Sequence, residues 1–278
     1  MEKITPVLLT FNEAPNIART LSHLGWAEDV VVVDSGSTDS TLNILQSFPR
    51  VRIHHRPFDN HPAQWQYAVE QTGIRTEWIL RLDADYQLSD ELIRDMASLE
   101  PGASVAAYQV DFDYAVYSHR ILSSLYPSKP VLLRQGRYSI SDLGHTEGWI
   151  VHGSVGRLKS RIVHDDRKSM RDWVIAQIRY MQREEVKLRQ KRTGLRDWLR
   201  LHPPLMPVVV FFYCLFVKGL LFSGRAGIMY TLQRLTAETI LALIILEQRF
   251  LASGTVQGFA EPVTKTGDVA ASLKRPTE

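Results

Sequence analysis

Short apolar runs alternate four times with segments of helical periodicity in the first hundred residues. The apolar runs read ITPVLLTF, DVVVVD, VRIHHR and EWILRLDAD. An unbroken run such as DVVVVD is typical of a strand covered on both faces, because both sets of alternating side chains are then buried. Strands that alternate with helices in this way form a parallel sheet, so the sequence predicts an α/β fold.

The pattern changes along the chain and predicts three regions. Residues 1–165 are expected to form the α/β domain, residues 166–252 a basic and apolar helical region, and residues 253–278 a disordered tail. The helical region contains an apolar run over residues 205–222, broken only by Pro207 and Lys218, and a second apolar helix that runs through ETILALIILEQRF. The first run is at the lower limit for spanning a hydrocarbon core of ~30 Å. We therefore expect helices that lie in or dip into a membrane surface, the alternative being a buried hairpin in a soluble enzyme.

Composition excludes some classes of protein. The formal net charge of +3 is too small to indicate a polyanionic partner, so no nucleic acid is expected. The single cysteine, Cys214, excludes an internal disulfide and suits a reducing compartment.

Polar groups follow three of the predicted strands. TFNE follows the first, Asp34 ends the second, and Asp83 and Asp85 end the fourth. Ligands of open parallel sheets bind at the carboxyl ends of the strands, where these groups converge. The segment GSTDS is not a G-x-x-x-x-G-K-[ST] loop, and no G-x-G-x-x-G follows the first strand. A diphosphate would therefore be held through a divalent cation rather than by a glycine-rich loop. Asp83 and Asp85 point to the same side of extended backbone and predict a site for Mg²⁺ or Mn²⁺, with phosphate oxygens as further ligands.

Three motifs in order resemble one known family. VLLTFNEAPNIARTL, VVVDSGSTDST and WILRLDADYQLSDELI are similar to family 2 glycosyltransferases of the GT-A fold, in particular the bacterial lipopolysaccharide-core β-1,4-glucosyltransferase-like group. The resemblance covers roughly residues 1–165, and FFYCLFVKGLLFSGRAG resembles the membrane-proximal element of those enzymes more loosely. It implies a Rossmann-like mixed sheet that binds a nucleotide sugar, with a membrane-associated helical extension at the C-terminus.

The resemblance also implies roles for individual residues. Six residues fall where the family binds the donor and its metal: Thr10, Phe11, Glu13, Asp34, Asp83 and Asp85. The first three match positions that hold the base and ribose, the fourth matches an aspartate that hydrogen-bonds the nucleotide, and the last two match the metal and diphosphate motif. For Asp34 the alternative is an N-cap of the next helix. Many relatives have a carboxylate after this motif, where Tyr86 stands here.

Inverting transfer needs a general base for the acceptor hydroxyl. The segment SDLGHTEGW supplies three candidates, in order of preference Glu147, His145 and Asp142, each of which has an ordinary loop residue as its alternative. His164 matches a late histidine near the metal or diphosphate in many GT-A enzymes. Neutral imidazole is a ligand for Mn²⁺, whereas the alternative is a structural histidine.

Together these residues predict an inverting glycosyltransferase that moves a sugar from a UDP-sugar to a lipid-linked glycan. The expected place is the cytoplasmic face of a bacterial inner membrane, in lipopolysaccharide or exopolysaccharide synthesis. A nucleotidyltransferase and a non-catalytic module that binds nucleotide sugar or glycan at the membrane are the alternatives.

Overall fold

The computed structural model describes residues 3–142, 147–190 and 194–253. The strands in this part of the chain are β1 (Ile4–Thr10), β2 (Val30–Asp34), β3 (Val51–His55), β4 (Trp78–Asp83), β5 (Tyr86–Gln87), β6 (Val105–Val110), β7 (Phe112–Val116), β8 (His119–Arg120), β9 (Lys129–Arg134), β10 (Tyr138–Asp142), β11 (Glu147–Val151), β12 (Ser154–Arg157) and β13 (Ile162–His164). The α-helices are α1 (Ile17–Ser22), α2 (Thr41–Gln46), α3 (His61–Glu70), α4 (Asp90–Ala97), α5 (Met170–Gln190), α6 (Gly194–Arg200), α7 (Leu205–Phe212) and α8 (Gly224–Ala252).

Seven strands form the main sheet, in the order β12-β6-β9-β4-β1-β2-β3. The four strands predicted from the alternation, β1 to β4, are all parallel to their neighbours within that group. Strand β9 then pairs antiparallel with both β4 and β6. A second sheet, β5-β13-β7-β8, lies beyond the end of β4, and β10 and β11 form a separate hairpin.

Helices cover both faces of the main sheet. On one face Leu8, Val32 and Leu80 pack in a buried cluster with residues of α1, α2 and α4. On the other face Val7 and Val31 pack against α3 and the β10–β11 hairpin. Successive side chains of a strand point to opposite faces, so burial on both sides explains why DVVVVD carries only valines between its two aspartates.

The C-terminal helices pack on the second sheet rather than standing apart from it. Val116 and Ile121 share a buried cluster with Val210 of α7, with Tyr230 of α8 and with Leu220, which precedes α8. The apolar run of residues 205–222 is not one helix: α7 passes into a π-helical turn (Tyr213–Val217), and a 3₁₀ turn (Leu220–Ser223) leads into α8. Gly227 permits this return, because a Cβ there would lie 2.0 Å from the carbonyl oxygen of Leu220.

Within the described residues, no single helix is both long and apolar enough to cross a membrane. The segments Leu205–Val217 and Leu220–Ala252 meet that requirement only together, as a pair bent by 71°. The predicted α/β fold with a mixed sheet and a C-terminal helical extension is confirmed, while membrane association of the extension stays a prediction. The predicted tail, apart from Ser253, lies outside the described residues.

Candidate functional site

The loops after β1 and β2 are tied together by Asp34. Its buried carboxylate accepts hydrogen bonds from the hydroxyl groups of Thr10 (2.9 Å) and Ser37 (2.5 Å). It also accepts main-chain hydrogen bonds from Gly36 (2.9 Å) and Ser37 (2.8 Å). Gly36 has a φ of +90°, a conformation that favours glycine and that turns the chain back over the carboxylate.

These contacts define what Asp34 does in the folded chain. A carboxylate has about four acceptor sites, and four donors already occupy them. Helix α2 begins seven residues later with Ser40 in the N-cap position, so the N-cap alternative for Asp34 is wrong. Asp34 shapes the loop at the edge of the sheet, and its direct contact with a nucleotide stays a prediction.

Two further residues after β1 have different environments. Phe11 is 48% exposed beside the loop. Glu13 is half-buried, accepts a hydrogen bond from Asn16 (3.0 Å) and forms an ion pair with Lys168. Burial, and then the charge of Asp85, raise the pKa of Glu13 to about 7 in spite of that ammonium group.

The turn Asp83-Ala84-Asp85 is held from two sides. The hydroxyl group of Thr20 in α1 donates to the carbonyl oxygen of Ala84 (2.6 Å), and the amide of Asp165 donates to the carbonyl oxygen of Asp85 (3.2 Å). Strand β13 lies between β5 and β7, which brings His164 to this turn. Its Nε2 lies 2.9 Å from Oδ2 of Asp85.

Two atoms of this pair have no hydrogen-bond partner in the described structure. They are Oδ1 of Asp85 and Nδ1 of His164, both buried. Burial lowers the pKa of His164, but the charge of Asp85 and the hydrogen bond to it outweigh burial and raise the pKa above its usual 6.5. The structure therefore places His164 beside the predicted metal motif.

Cations that sequence reasoning missed surround Asp83. The ammonium group of Lys129 lies 4.0 Å from Oδ2 of Asp83 and 2.6 Å from the hydroxyl oxygen of Tyr126. Arg81 is buried between the rings of Trp65 and Trp149, 5.5 and 5.3 Å from their centroids. Burial raises the pKa of Asp83, but Lys129 and Arg81 outweigh it and keep that carboxyl ionised at lower pH than usual.

Tyr86 stands where the resemblance implies a carboxylate after the motif. Its side chain is buried, and its hydroxyl group lies 2.6 Å from that of Tyr126 and 3.3 Å from the ammonium group of Lys129. Tyr86 thus helps to position the ammonium group of Lys129.

A cleft of about 890 Å³ unites these residues. Glu13, Asp83, Asp85 and His164 line one end, whereas Thr10, Phe11 and Asp34 lie outside its lining. Residues of α5 to α8 line the opposite wall. Of the three strand ends predicted to converge, those of β1 and β4 contribute to the cleft, whereas Asp34 at the end of β2 does not line it. The helical wall was not indicated by the motifs.

The base candidates lie on the β10–β11 hairpin or in its loop. Asp142 and Glu147 are the paired residues next to that loop, and His145 lies outside the described residues. Trp149, two residues after Glu147, packs on Trp65 (5.6 Å between centroids), which lines the cleft. The assignment of the base to Glu147, His145 or Asp142 stays a prediction.

Asp83 and Asp85, two metal ligands predicted from sequence, supply only part of a cation site. Among the described residues, no group of three or more His, Cys, Asp or Glu side chains is arranged to hold a metal ion. Asp83 and Asp85 nonetheless follow one another at the cleft, and Oδ1 of Asp85 is buried without a partner. Two carboxylates suit Mg²⁺, which keeps waters and takes substrate phosphates as its other ligands. The residues fit a cation that is completed by its substrate.

Comparisons with known proteins agree with the motifs. The lipopolysaccharide core biosynthesis glycosyltransferase LpsC of Rhizobium meliloti is 28% identical over 170 residues, covering 56% of this chain and 60% of LpsC. An uncharacterised glycosyltransferase of Rickettsia bellii is 37% identical over 92 residues, 33% of this chain and 30% of its own. The chain thus matches less than two thirds of the length of each relative.

Structural likeness is weaker. A solved fragment, residues 1–349, of S. aureus TarS in complex with UDP-GlcNAc covers 95% of both chains at 13% identity and a TM-score of 0.46. At this TM-score the likeness carries no argument about ligand or reaction. The model of glycosyl transferase family 2, by contrast, matches residues 6–162, more than half of the chain. The chain belongs to glycosyl transferase family 2.

Proposed function

We propose that the protein is an inverting glycosyltransferase that moves a sugar from a UDP-sugar to a lipid-linked glycan of lipopolysaccharide or another cell-envelope polysaccharide. One observation carries the proposal: Asp83, Asp85 and His164 meet at the carboxyl ends of the strands, in a cleft whose other wall is helical. The similarity to LpsC supports the envelope context.

The donor end of the cleft would hold the sugar diphosphate through a divalent cation. Asp83 and Asp85 would hold Mg²⁺ or Mn²⁺, which would supply positive charge against the departing diphosphate. Lys129 adds an ammonium group at the same end, fixed by Tyr126 and Tyr86. Glu13 and the Asp34 loop would bound the nucleoside, and His164 would orient Asp85 through their hydrogen bond.

The acceptor hydroxyl group needs a base on the side of the sugar away from the diphosphate. We assign that role to Glu147, with His145 and Asp142 as the other candidates. The support is positional, since β11 starts at Glu147 and its Trp149 packs beside Arg81 and Trp65 at the cleft.

The C-terminal helices would bring the lipid-linked acceptor to the cleft from the cytoplasmic face of a bacterial inner membrane. Val209 and Tyr213 line the cleft, while Phe216, Val217 and Phe222 on the following turns are 64%, 70% and 83% exposed. Exposed apolar groups at that density are typical of an interaction surface, and cleft and apolar surface share one helical segment.

The donor assignment is tested by the stability that ligands add to the full chain. UDP and a panel of UDP-sugars should raise the melting temperature in the presence of Mn²⁺ and raise it less after chelation, since a ligand that binds only the folded state stabilises it. In Asp85→Asn, Mn²⁺ should no longer add to the rise in melting temperature, and the protein should no longer release UDP from a UDP-sugar. Asp90→Asn, an exposed site on α4, is the matched control. Full turnover by Asp85→Asn would refute the metal site.

The membrane assignment is tested with vesicles of neutral and anionic phospholipids. The full chain should co-sediment with them, and replacing Phe216, Val217 and Phe222 together by Ser should release it. The control replaces Ile150 and Val155, which are exposed apolar residues of the α/β domain. Equal loss of binding in both variants, or no binding by the wild type, would contradict the assignment.

A further inference from the structure

The helical half of the cleft carries a feature that the donor does not use. Its wall is apolar in Leu199, Met206 and Val210 but also holds two arginines, Arg196 of α6 and Arg234 of α8. Guanidinium groups in an apolar wall mark recognition of an anion, because their planar fork matches carboxylate and phosphate oxygens.

The nearest carboxylates form their hydrogen bonds with a third arginine, Arg200. Glu238 is bonded by Nε and Nη2 of Arg200, at 2.9 and 2.5 Å, and Glu184 by Nη1 of the same arginine at 2.7 Å. The closest nitrogen of Arg234 is 3.9 Å from Glu238, beyond hydrogen-bond range, and its Nε is buried without a partner. Two carboxylates therefore face three guanidinium groups.

Arg196 adds to the excess positive charge. It forms no ion pair or hydrogen bond within the described residues. Its side chain is exposed at the cleft. Partial desolvation and the charges of Arg200 and Arg234 lower the pKa of Arg196, outweighing the opposite effect of Glu238 and Glu184. Other acidic residues of the lining are engaged elsewhere: Glu13 with Lys168, Asp166 with Asn16 and Asp172 with Ser169.

A row of aromatic rings connects this positive region with the donor end. The ring of His164, which is hydrogen-bonded to Asp85, packs against the ring of Tyr114, with 4.7 Å between their centroids. Tyr114 packs in turn against Tyr230, with 4.8 Å between centroids. Arg234 lies one turn after Tyr230, so both project from the same side of α8. Arg234 therefore lies on the helical wall of the cleft that also holds the metal motif, and Arg196 lines the same cleft.

We propose that Arg196 and Arg234 bind an anionic group of the acceptor, a phosphate monoester or a sugar carboxylate, and so select an acidic amphiphile as the glycan-bearing substrate. This rests on the proposed function and narrows it to one acceptor class. The apolar residues beside the arginines would contact the carrier chain or the sugar faces, and the aromatic row would carry the glycan toward the donor.

Binding of water-soluble amphiphiles to the full chain tests the proposal by calorimetry, with every probe below its micelle concentration. Octyl glucuronide supplies a carboxylate, dihexanoyl phosphatidic acid supplies a phosphate, and octyl glucoside is the neutral counterpart. At least one anionic probe should bind about tenfold more tightly than octyl glucoside, the effect expected of one charge-assisted hydrogen bond. The tighter of the two anionic probes identifies the source of the charge.

Variants then locate the binding. Arg196→Gln and Arg234→Gln should each lower the affinity for the anionic probe about tenfold. Arg234→Lys, which keeps the charge without the fork, should retain part of the affinity. Arg225→Gln makes the same change at an exposed position of α8 outside the cleft and should bind like the wild type.

Binding of UDP with Mn²⁺ is measured on the same proteins. It should be unchanged in Arg196→Gln and Arg234→Gln. If these variants lose UDP instead, the arginines serve the donor and the inference is overturned. It is also overturned if the neutral probe binds as tightly as the anionic ones, or if Arg225→Gln loses as much affinity. If the wild type binds an anionic probe but no UDP or UDP-sugar, the proposed function fails.

Discussion

Replacing Asp34 by Ala should destabilise the protein far more than loss of a helix cap would. The substitution removes the acceptor of four hydrogen bonds, one of them from the buried hydroxyl group of Thr10. A hydrogen bond to a charged group contributes about 1.5 to 3 kcal/mol, and donors left near the surface regain water. Counting Thr10 in full and the loop donors in part, the loss is about 3 kcal/mol.

The matched control is Asp39→Ala in the same loop. Asp39 is exposed and accepts hydrogen bonds from the amide and hydroxyl groups of Thr41, at 2.9 and 2.5 Å. Water can replace an exposed acceptor, so this change should cost about 1 kcal/mol. Urea unfolding followed by circular dichroism measures both free energies of unfolding, and the difference between the two variants isolates burial.

The melting temperature gives a second measure of the same effect. For a domain of this size, a loss of 3 kcal/mol corresponds to a decrease of roughly 6 to 12 °C. If Asp34→Ala melts within a degree or two of Asp39→Ala, the hydrogen bonds around Asp34 do not support the loop, and a role confined to the nucleotide is favoured.

Three further changes test other parts of the chain. Glu147→Gln should lower kcat by about 10²-fold or more while UDP affinity is kept, and wild-type kcat would exclude Glu147 as the base. Arg200→Ala should cost about 3 to 5 kcal/mol of unfolding free energy because it removes the hydrogen bonds that Arg200 donates to the buried carboxylates of Glu184 and Glu238. Arg94→Ala on the surface of α4, where Arg94 and its partner Glu91 are both exposed, should cost less than about 1 kcal/mol. Glu13 has a pKa raised from 4.5 to about 7, so its contribution to stability is lost as pH rises between these values. As pH rises across that interval, the urea midpoint of Glu13→Gln should therefore increase relative to the midpoint of the wild type. A difference between the two midpoints that does not change with pH would contradict the raised pKa of Glu13.

The parallel core could be predicted because its signals are local. The burial of Val31 and Val32 on opposite faces of β2 requires apolar residues at both positions, and such runs are visible in the sequence. The antiparallel insertion of β9 beside β4 was not predicted. It depends on pairing between Trp78 and Arg134, residues far apart in the chain, and neither segment alone indicates its partner.

The donor end of the site was predictable for the same reason. Asp83 and Asp85 directly follow a buried strand, and His164 was placed by resemblance. Lys129 was missed because it begins β9, whose position beside β4 is a property of the folded sheet. Asp34 was expected to face a ligand or cap a helix, because the sequence does not reveal how a loop folds back onto its own carboxylate.

The helical region shows why composition alone misjudges such segments. An apolar run of residues 205–222 suggests one element with one environment, yet Val210 and Cys214 are buried against the second sheet while Phe216 and Phe222 face outward. The π-helical turn and the return at Gly227 separate the two environments, since they reverse the chain before it extends away from the protein. The same run therefore closes the cleft with one side and exposes an apolar surface with the other. If the acceptor is lipid-linked as proposed, this arrangement would set the glycan at the donor while its carrier stays outside the α/β domain.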